Sequence, residues 1–286
     1  MNKIRVFSPA KINLFLKILK KRQGGFHEIV SLMQAVNLRD EIEIERIPQG
    51  IKVACNNPAV PTDKSNLAYR AAQLFLQATK VKSGVKIGIK KRIPAAAGLG
   101  GGSSDAASVL IGANKLFKTK FSAVELHRIA CKLGSDVPFF LTLGSALATG
   151  RGEKLKSLKV PLNYWLVLVN PGSAVSTKWA YSRVTPRATE RKTHFRRRRV
   201  SFTEMLEMIK EKGNDLAPAV IRKFPEVQEI IEGLGESGAY YAAMSGSGPT
   251  VFGIFKNKSW ASAAAIHLSR KKSWRTWVVK PAFIKH

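Results

Sequence analysis

The order of apolar and polar positions divides this chain into strands and helices before any chemistry is considered. Near the start, IRVF and then INLFLKIL read as two strand-like runs on either side of Ser8-Pro9-Ala10-Lys11. KKRQGGFHE, residues 20–28, is predicted to turn at Gly24-Gly25 and to present Phe26 and His27. Ile42 to Glu45 alternates as a half-exposed strand should. Leu67, Ala71, Leu74, Phe75 and Ala78 then recur with helical spacing, and either Ser65 or Asn66 can cap that helix. Val85, Ile87 and Ile89 alternate again in a strand that leads through Lys91 and Arg92 into a glycine-rich stretch. AASVLIGANKLF follows as a helix.

Further along, Ser122 and Glu125 form a capping box for SAVELHRIACKL, and Gly134 ends that helix. GSALATGRGE, residues 144–153, reads as a tight turn closing a first lobe, and residues 165–169 as a buried strand of a second. PRATERKTHFRRRR, residues 186–199, is polar and basic and is predicted to be a mobile segment. Ser201 and Glu204 make another capping box. YYAAMSGSGPTVFGIF places a glycine-serine turn between two strand-like runs, with Gly246 and Gly248 allowing close backbone approach to the first glycine stretch. The helix ASAAAIHLSRKK and the strand TWVVK complete an α+β pattern without internal repeats. Two units are expected, 1–152 and 153–286.

Composition adds limits. Hydrophobic residues make up 45% and mean hydropathy is −0.08, values of a soluble globular chain. No apolar run approaches the roughly 20 residues of a membrane helix. Two cysteines without a motif point to a reducing compartment and a cytoplasmic location. Five scattered histidines offer no H-x-x-x-H spacing, so no structural metal is predicted. Forty-eight Lys and Arg against 19 Asp and Glu give a net charge of +29, which favours anionic partners and nonspecific polyanion binding at low salt. The basic residues are spread along the chain and form no recognisable nucleic-acid module. A monomer or weak homodimer is expected.

The chemistry concentrates in PAAAGLGGGSSDAA, residues 94–107. Gly98, Gly100, Gly101 and Gly102 remove the Cβ atoms that would keep a ligand from the backbone. Ser103 or Ser104 can cap the following helix, with Asp105 in its first turn. A glycine cradle opening onto a helix N-terminus suits a phosphate. No Gly-Lys-Ser/Thr ends it, a third dinucleotide-type glycine is missing, and no G-x-S-x-G elbow is present. Lys11, between apolar runs and near Asn13, is set where a strand is mostly buried. Asp136 lies between a helix stop and Pro138-Phe139-Phe140, where a carboxylate must be partnered or face a cleft. A turn aspartate is the commoner role; beside Lys11 and a phosphate loop, Asp136 becomes a catalytic candidate.

Pro94 through Ser104 resembles the central motif of the GHMP kinases, and SPAKINLFL and MSGSGPTVFGIF resemble their first and third motifs. Together with GFHE, GSDVPFFL and ATGRGE, the pattern is similar to the branch that phosphorylates a cytidine-diphosphate-linked methylerythritol in isoprenoid synthesis. The resemblance implies a two-lobed fold, a ribosomal protein S5 domain 2-like N-terminal lobe followed by a ferredoxin-like C-terminal lobe. It implies Lys11 and Asp136 as the catalytic pair. It implies ATP on Pro94, Ala95, Ala96, Ala97, Gly98, Leu99, Gly100, Gly101, Gly102, Ser103 and Ser104, with Asn66 and Lys91 near the nucleotide. It places the acceptor on Asn13, Phe26, His27, Thr177 and Tyr181, with Phe26 standing where a tyrosine is common. Mg2+ is the implied companion of ATP, with its ligands unassigned. The alternatives are a homoserine- or mevalonate-type kinase of the same superfamily and a non-catalytic, polyanion-binding S5-like protein.

Overall fold

Two long strands form the spine: β1 (Lys3–Lys21) and β2 (His27–Ile47), paired antiparallel along nearly their whole lengths. The computed structural model describes residues 2–22, 26–142, 144–185, 199–271 and 273–284. Gly24-Gly25 of the expected turn and residues 186–198 of the basic segment lie outside the described residues. IRVF and INLFLKIL are one strand, not two runs, because Pro9 sits at a register shift where the ladder is already interrupted. A second shift falls between Asn13 and Phe15. The two irregularities bracket Lys11, Ile12 and Asn13, as bulges beside functional sites do.

The chain continues through β3 (Ile51–Cys55), α1 (Leu67–Thr79), β4 (Gly84–Lys90), α2 (Gly101–Phe117), α3 (Ala123–Leu133) and the short α4 (Phe139–Thr142). β5 (Ser145–Gly150) and β6 (Lys154–Ser157) complete the first sheet. β2 pairs with β4 through residues 41–47 and with β5 through residues 29–34. GSALATGRGE is thus a strand followed by a turn, which corrects the expectation of a turn throughout. Its small residues are mostly buried and carry little of the β-branched signal of a strand, yet they fit where β5 is enclosed.

Next come β7 (Trp165–Asn170), α5 (Thr177–Ser182), α6 (Phe202–Lys212), α7 (Ala217–Lys223) and α8 (Glu226–Glu236). β8 (Tyr241–Met244), β9 (Val251–Phe255), α9 (Lys258–Ser269) and β10 (Arg275–Val279) follow. The second sheet has the order β10-β7-β9-β8, with every pair antiparallel. Both capping boxes form as predicted, at Ser122 and at Ser201.

Strand alternation builds the cores. Ile42 and Ile44 point to one side of the first sheet and pack with Ala71, Phe75, Val109 and Leu110 of the helices. Ile12, Leu14 and Leu32 point to the other side and meet Leu166, Leu168, Phe252 and Ile254 of the second sheet, all fully buried. Each such aliphatic side chain contributes about 1.5–3 kcal/mol on leaving water. This shared core fixes one sheet against the other. Residues beyond β10 return to β2: Asn37 N–H donates to Lys280 O at 3.0 Å, and Ala282 N–H to Ala35 O at 2.8 Å. Gln34 Nε2 also donates to Ala282 O, at 3.3 Å.

Candidate active site

The bracketed segment of β1 places Lys11 and Asn13 on the same face, two residues apart. Lys11 is 4% exposed, and its Nζ donates to Asn13 Oδ1 at 2.5 Å. The same ammonium lies 3.4 Å from Asp136 Oδ2, so the expected catalytic pair is a real ion pair. Asp136 comes from the turn between α3 and α4, and about a third of its side chain remains exposed. A buried ammonium needs such partners, because an unpaired charge there is costly. Asn13 is itself fixed: Nδ2 donates to Ser31 Oγ at 2.7 Å, and that hydroxyl donates to Phe15 O at 2.6 Å.

The glycine loop runs beside this pair. Lys11 N–H donates to Leu99 O at 3.0 Å, tying β1 to the loop. Gly98 and Gly100 have φ of +75° and +70°, the left-handed region that favours glycine. Gly100 is the N-cap of α2, without a side-chain capping bond. Ser103 and Ser104 are therefore inside the first turn, which corrects the expectation that one of them caps the helix. Asp105 likewise falls beyond the first turn, because the helix begins at Gly101, earlier than a serine cap would start it.

Lys91 and Asn66 have partners of their own. Asn66 caps α1, accepting Ala68 N–H at 2.7 Å and donating to Pro61 O at 2.6 Å. Lys91 Nζ bridges Asp40 Oδ2 and Asp105 Oδ2, the latter at 2.9 Å. Asp40 also accepts Arg92 N–H at 2.6 Å and Ile93 N–H at 2.8 Å. Two carboxylates and one ammonium thus pin α2 and the entrance of the loop to β2. Burial disfavours the Lys91 charge, yet the two carboxylates outweigh it and hold the ammonium above its ordinary range.

Burial, only partly offset by Lys91 and reinforced by Asp40, pushes Asp105 up to about 7. The folded protein therefore holds a proton that the unfolded chain releases near pH 4, so stability falls as pH rises from about 4 to about 7. Asp105→Asn is expected to flatten that fall, as read from denaturant midpoints across the window. Identical slopes in variant and wild type would contradict this origin.

At the other end of the cleft, the His27 and Tyr181 rings lie 5.5 Å apart at 33°. Burial, aided by the Lys21 charge, holds His27 below its usual range and so favours the neutral imidazole. Burial and the nearby Asp136 charge raise the Tyr181 phenol. Phe26 is half exposed, with the Arg151 guanidinium 4.9 Å over its ring. Thr177 Oγ1 lies 3.0 Å from Ser247 Oγ. Every expected site residue except Leu99 and Ser104 lines one cleft of about 1030 Å³. Those two are buried at 1% and 0%.

Sequence reasoning missed Ser31, Arg151, Ser245 and the Asp40–Asp105 pair. Ser245 Oγ accepts Asn13 N–H and donates to Gly98 O, both at 3.1 Å. The adjacent Gly246 and Gly248 were the signal for close approach, and that approach is present. Arg151 sits in the ATGRGE stretch, where the turn reading gave it no partner. Among the described residues, no cluster of three or more His, Cys, Asp or Glu could hold a metal ion, and no helix is long and apolar enough to cross a membrane.

Comparison with known proteins agrees with this geometry. Residues 66–144 match the GHMP kinases N terminal domain, and residues 195–271 match the GHMP kinases C terminal domain. The chain is 42% identical over 278 residues to the 4-diphosphocytidyl-2-C-methyl-D-erythritol kinase of Syntrophus aciditrophicus (strain SB), covering 97% of this chain and 99% of that one. It is 43% identical over 277 residues to the protein of that name from Syntrophotalea carbinolica, covering 96% and 97%. A crystal structure of 4-(cytidine 5'-diphospho)-2C-methyl-D-erythritol kinase superposes with a TM-score of 0.81 at 34% identity, over 98% of this chain and 100% of that one. Homoserine kinase from Cytophaga hutchinsonii shares the fold, with a TM-score of 0.76 at 18% identity over 99% and 95%. The two-lobed arrangement expected from the motifs is the one present. From its three motifs, its fold and near-full-length relatives, this chain belongs to the 4-diphosphocytidyl-2-C-methyl-D-erythritol kinase family of the GHMP kinases.

Proposed function

We propose that the chain transfers the γ-phosphoryl group of ATP to the 2-hydroxyl of 4-diphosphocytidyl-2-C-methyl-D-erythritol. The observation that carries this reading is one cleft shared by the Lys11–Asp136 ion pair, the glycine loop, and the Phe26, His27 and Tyr181 rings. The glycine loop supplies backbone N–H groups for a polyphosphate. Phe26 supplies an exposed ring face for a base, and neutral His27 has a nitrogen able to accept a hydrogen bond. Thr177 and Tyr181 of α5 line the same cleft, Tyr181 beside His27.

Phosphoryl transfer depends on alignment and charge neutralisation more than on covalent help from the protein. The acceptor O–H bond breaks as the oxygen bonds to the γ-phosphorus, and the bond from that phosphorus to the β–γ bridging oxygen breaks to release ADP. Asp136 takes the hydroxyl proton and later yields it to solvent. Lys11 orients Asp136 and stabilises negative charge at the acceptor oxygen. Asn13 holds the Lys11 ammonium in place. Asn66 and Lys91 shape the nucleotide end, Lys91 by anchoring the loop entrance.

Ser103 lines the cleft beside the glycine loop with a hard hydroxyl oxygen, a donor that suits Mg2+ carried by the nucleotide. It would hold the ion, which when bound would supply charge neutralisation to the phosphates. We propose further that residues 1–152 and 153–286 are the two units, although β6 pairs back to β5 across that line. A cytoplasmic monomer or weak homodimer with nonspecific polyanion affinity completes the reading, the last from the +29 charge.

The test is ADP release from Mg-ATP with the cytidine substrate, and with homoserine or mevalonate in its place. Turnover confined to the cytidine substrate and inhibited by CDP is expected. Equal turnover with homoserine or mevalonate would reassign the acceptor. Salt-sensitive nucleic-acid binding without turnover would favour a polyanion-binding role.

A further inference from the structure

The loop between α6 and α7 reaches the site from a direction the motifs do not mark. Leu16 N–H donates to Gly213 O and Asp215 N–H donates to Leu16 O, both at 2.9 Å, so the loop lies along β1 just past Asn13. The Asp215 carboxylate accepts Ile18 N–H at 2.8 Å and pairs with Lys17 Nζ at 2.7 Å. Asn214, between these anchors, serves another element. Its Nδ2 donates to Met244 O at 2.8 Å and Gly246 O at 2.9 Å, while Oδ1 accepts Leu216 N–H at 2.9 Å. Among uncharged side chains of this size, only an amide offers two donors and an acceptor in one plane.

The turn held by Asn214 touches the catalytic groups directly. Ser245 bonds both Asn13 N–H and Gly98 O. Gly246 packs so closely that a Cβ there would stand 2.9 Å from Asn13 Oδ1 and 3.5 Å from Lys11 Nζ. We propose that Asn214 is a positioning residue for phosphoryl transfer: it fixes the 244–246 turn, which fixes Asn13 and the glycine loop and thereby the Lys11 ammonium. The proposal deepens the kinase reading and rests on it for the catalytic readout alone. Misplacement by about 1 Å from a site away from the chemistry can cost ~10²-fold. Loss of two amide bonds to the turn is a change of that kind.

Asn214→Ala removes all three bonds, and Asn214→Asp keeps the acceptor for Leu216 while losing both donors. Both variants are expected to lose about 10- to 100-fold in kcat, with KM for the acceptor changed less than about threefold. A residue that only stabilised the fold would lower the melting temperature without this split. Ser245→Ala supplies the coupling test: adding Asn214→Ala to it should cost less than about twofold more, because both act through one turn. Amide hydrogen exchange of residues 94–104 needs no substrate and should quicken in both variants. Wild-type kcat with unchanged loop exchange in the folded variants overturns the proposal, as does full additivity with Ser245→Ala. If wild-type protein shows no turnover with the cytidine substrate, the kinase reading fails, and the exchange measurement alone decides whether Asn214 positions the loop.

Discussion

Asp136→Ala is expected to lower turnover by about 10²–10⁴-fold, the usual contribution of a positioned general base, while leaving ATP bound. The expectation follows from where the carboxylate stands. It is the one acidic side chain paired with the Lys11 ammonium among the described ion pairs, at 3.4 Å, and it opens on the cleft. A loss of 10³-fold corresponds to about 4 kcal/mol of transition-state stabilisation. The glycine loop and α2 are untouched by the substitution, so calorimetric titration with an ATP analogue should give a near wild-type affinity. The variant leaves Lys11 with Asn13 as its remaining named partner, and a buried ammonium that loses its counter-charge is destabilising. Thermal unfolding must therefore accompany the kinetics. Asp136→Asn divides the role further: it keeps the shape and a hydrogen bond but cannot take a proton. Loss in both variants identifies proton acceptance, and loss in alanine alone identifies positioning. A near-normal rate in the alanine variant would remove Asp136 from the mechanism.

Gly98→Ala should be among the most damaging single-methyl changes at the described glycines. A Cβ at Gly98 would stand 2.2 Å from Ser245 O and 3.0 Å from Gly248 N. Both are backbone atoms of the neighbouring turn, with no flexible side chain to move aside. The φ of +75° adds a conformational cost that alanine bears and glycine does not. Overpacking and the left-handed backbone together cost about 2–4 kcal/mol. Relief would require the loop and the 244–246 turn to separate, breaking the Ser245 bond to Gly98 O. ATP affinity should therefore fall more than about tenfold, because the loop amides no longer converge. Gly50→Ala is the control, since Gly50 has φ of +79° but nothing within 4 Å of a Cβ. If the two variants lose equal stability, steric contact with the turn plays no part.

Much of this site was legible because its residues sit in short, self-announcing patterns. Four glycines close together followed by a helix describe a cradle whatever surrounds them. Lys11 and Asp136 stood out as charges in apolar settings, and the structure joins them although 125 positions separate them in the chain. The cap of α2 was misread because serine is the commoner N-cap, whereas here Gly100 in the left-handed region starts the helix and leaves both serines inside it. GSALATGRGE was misread because small residues carry little strand propensity, and only pairing with β2 reveals β5. Lys91 could be placed near the loop from its position in the chain, yet nothing local pointed to Asp40, 51 positions earlier, as its partner. Asn214 was invisible for the same reason: its three bonds go to backbone groups, two of them about 30 positions away.

The return of residues 280–282 to β2 has a kinetic meaning. Lys280 N–H donates to Asn37 Oδ1 across 243 positions, and Gln34 reaches Ala282 across 248. During synthesis on the ribosome, β2 emerges among the earliest segments and waits for its final neighbours until almost all of the chain has followed. Contacts of such long sequence separation close late and slow the approach to the native state. Until then, an early strand has unpaired backbone groups that another nascent chain could occupy. The strand that pairs with β1 along the Lys11–Asn13 segment is thus among the last to be finished.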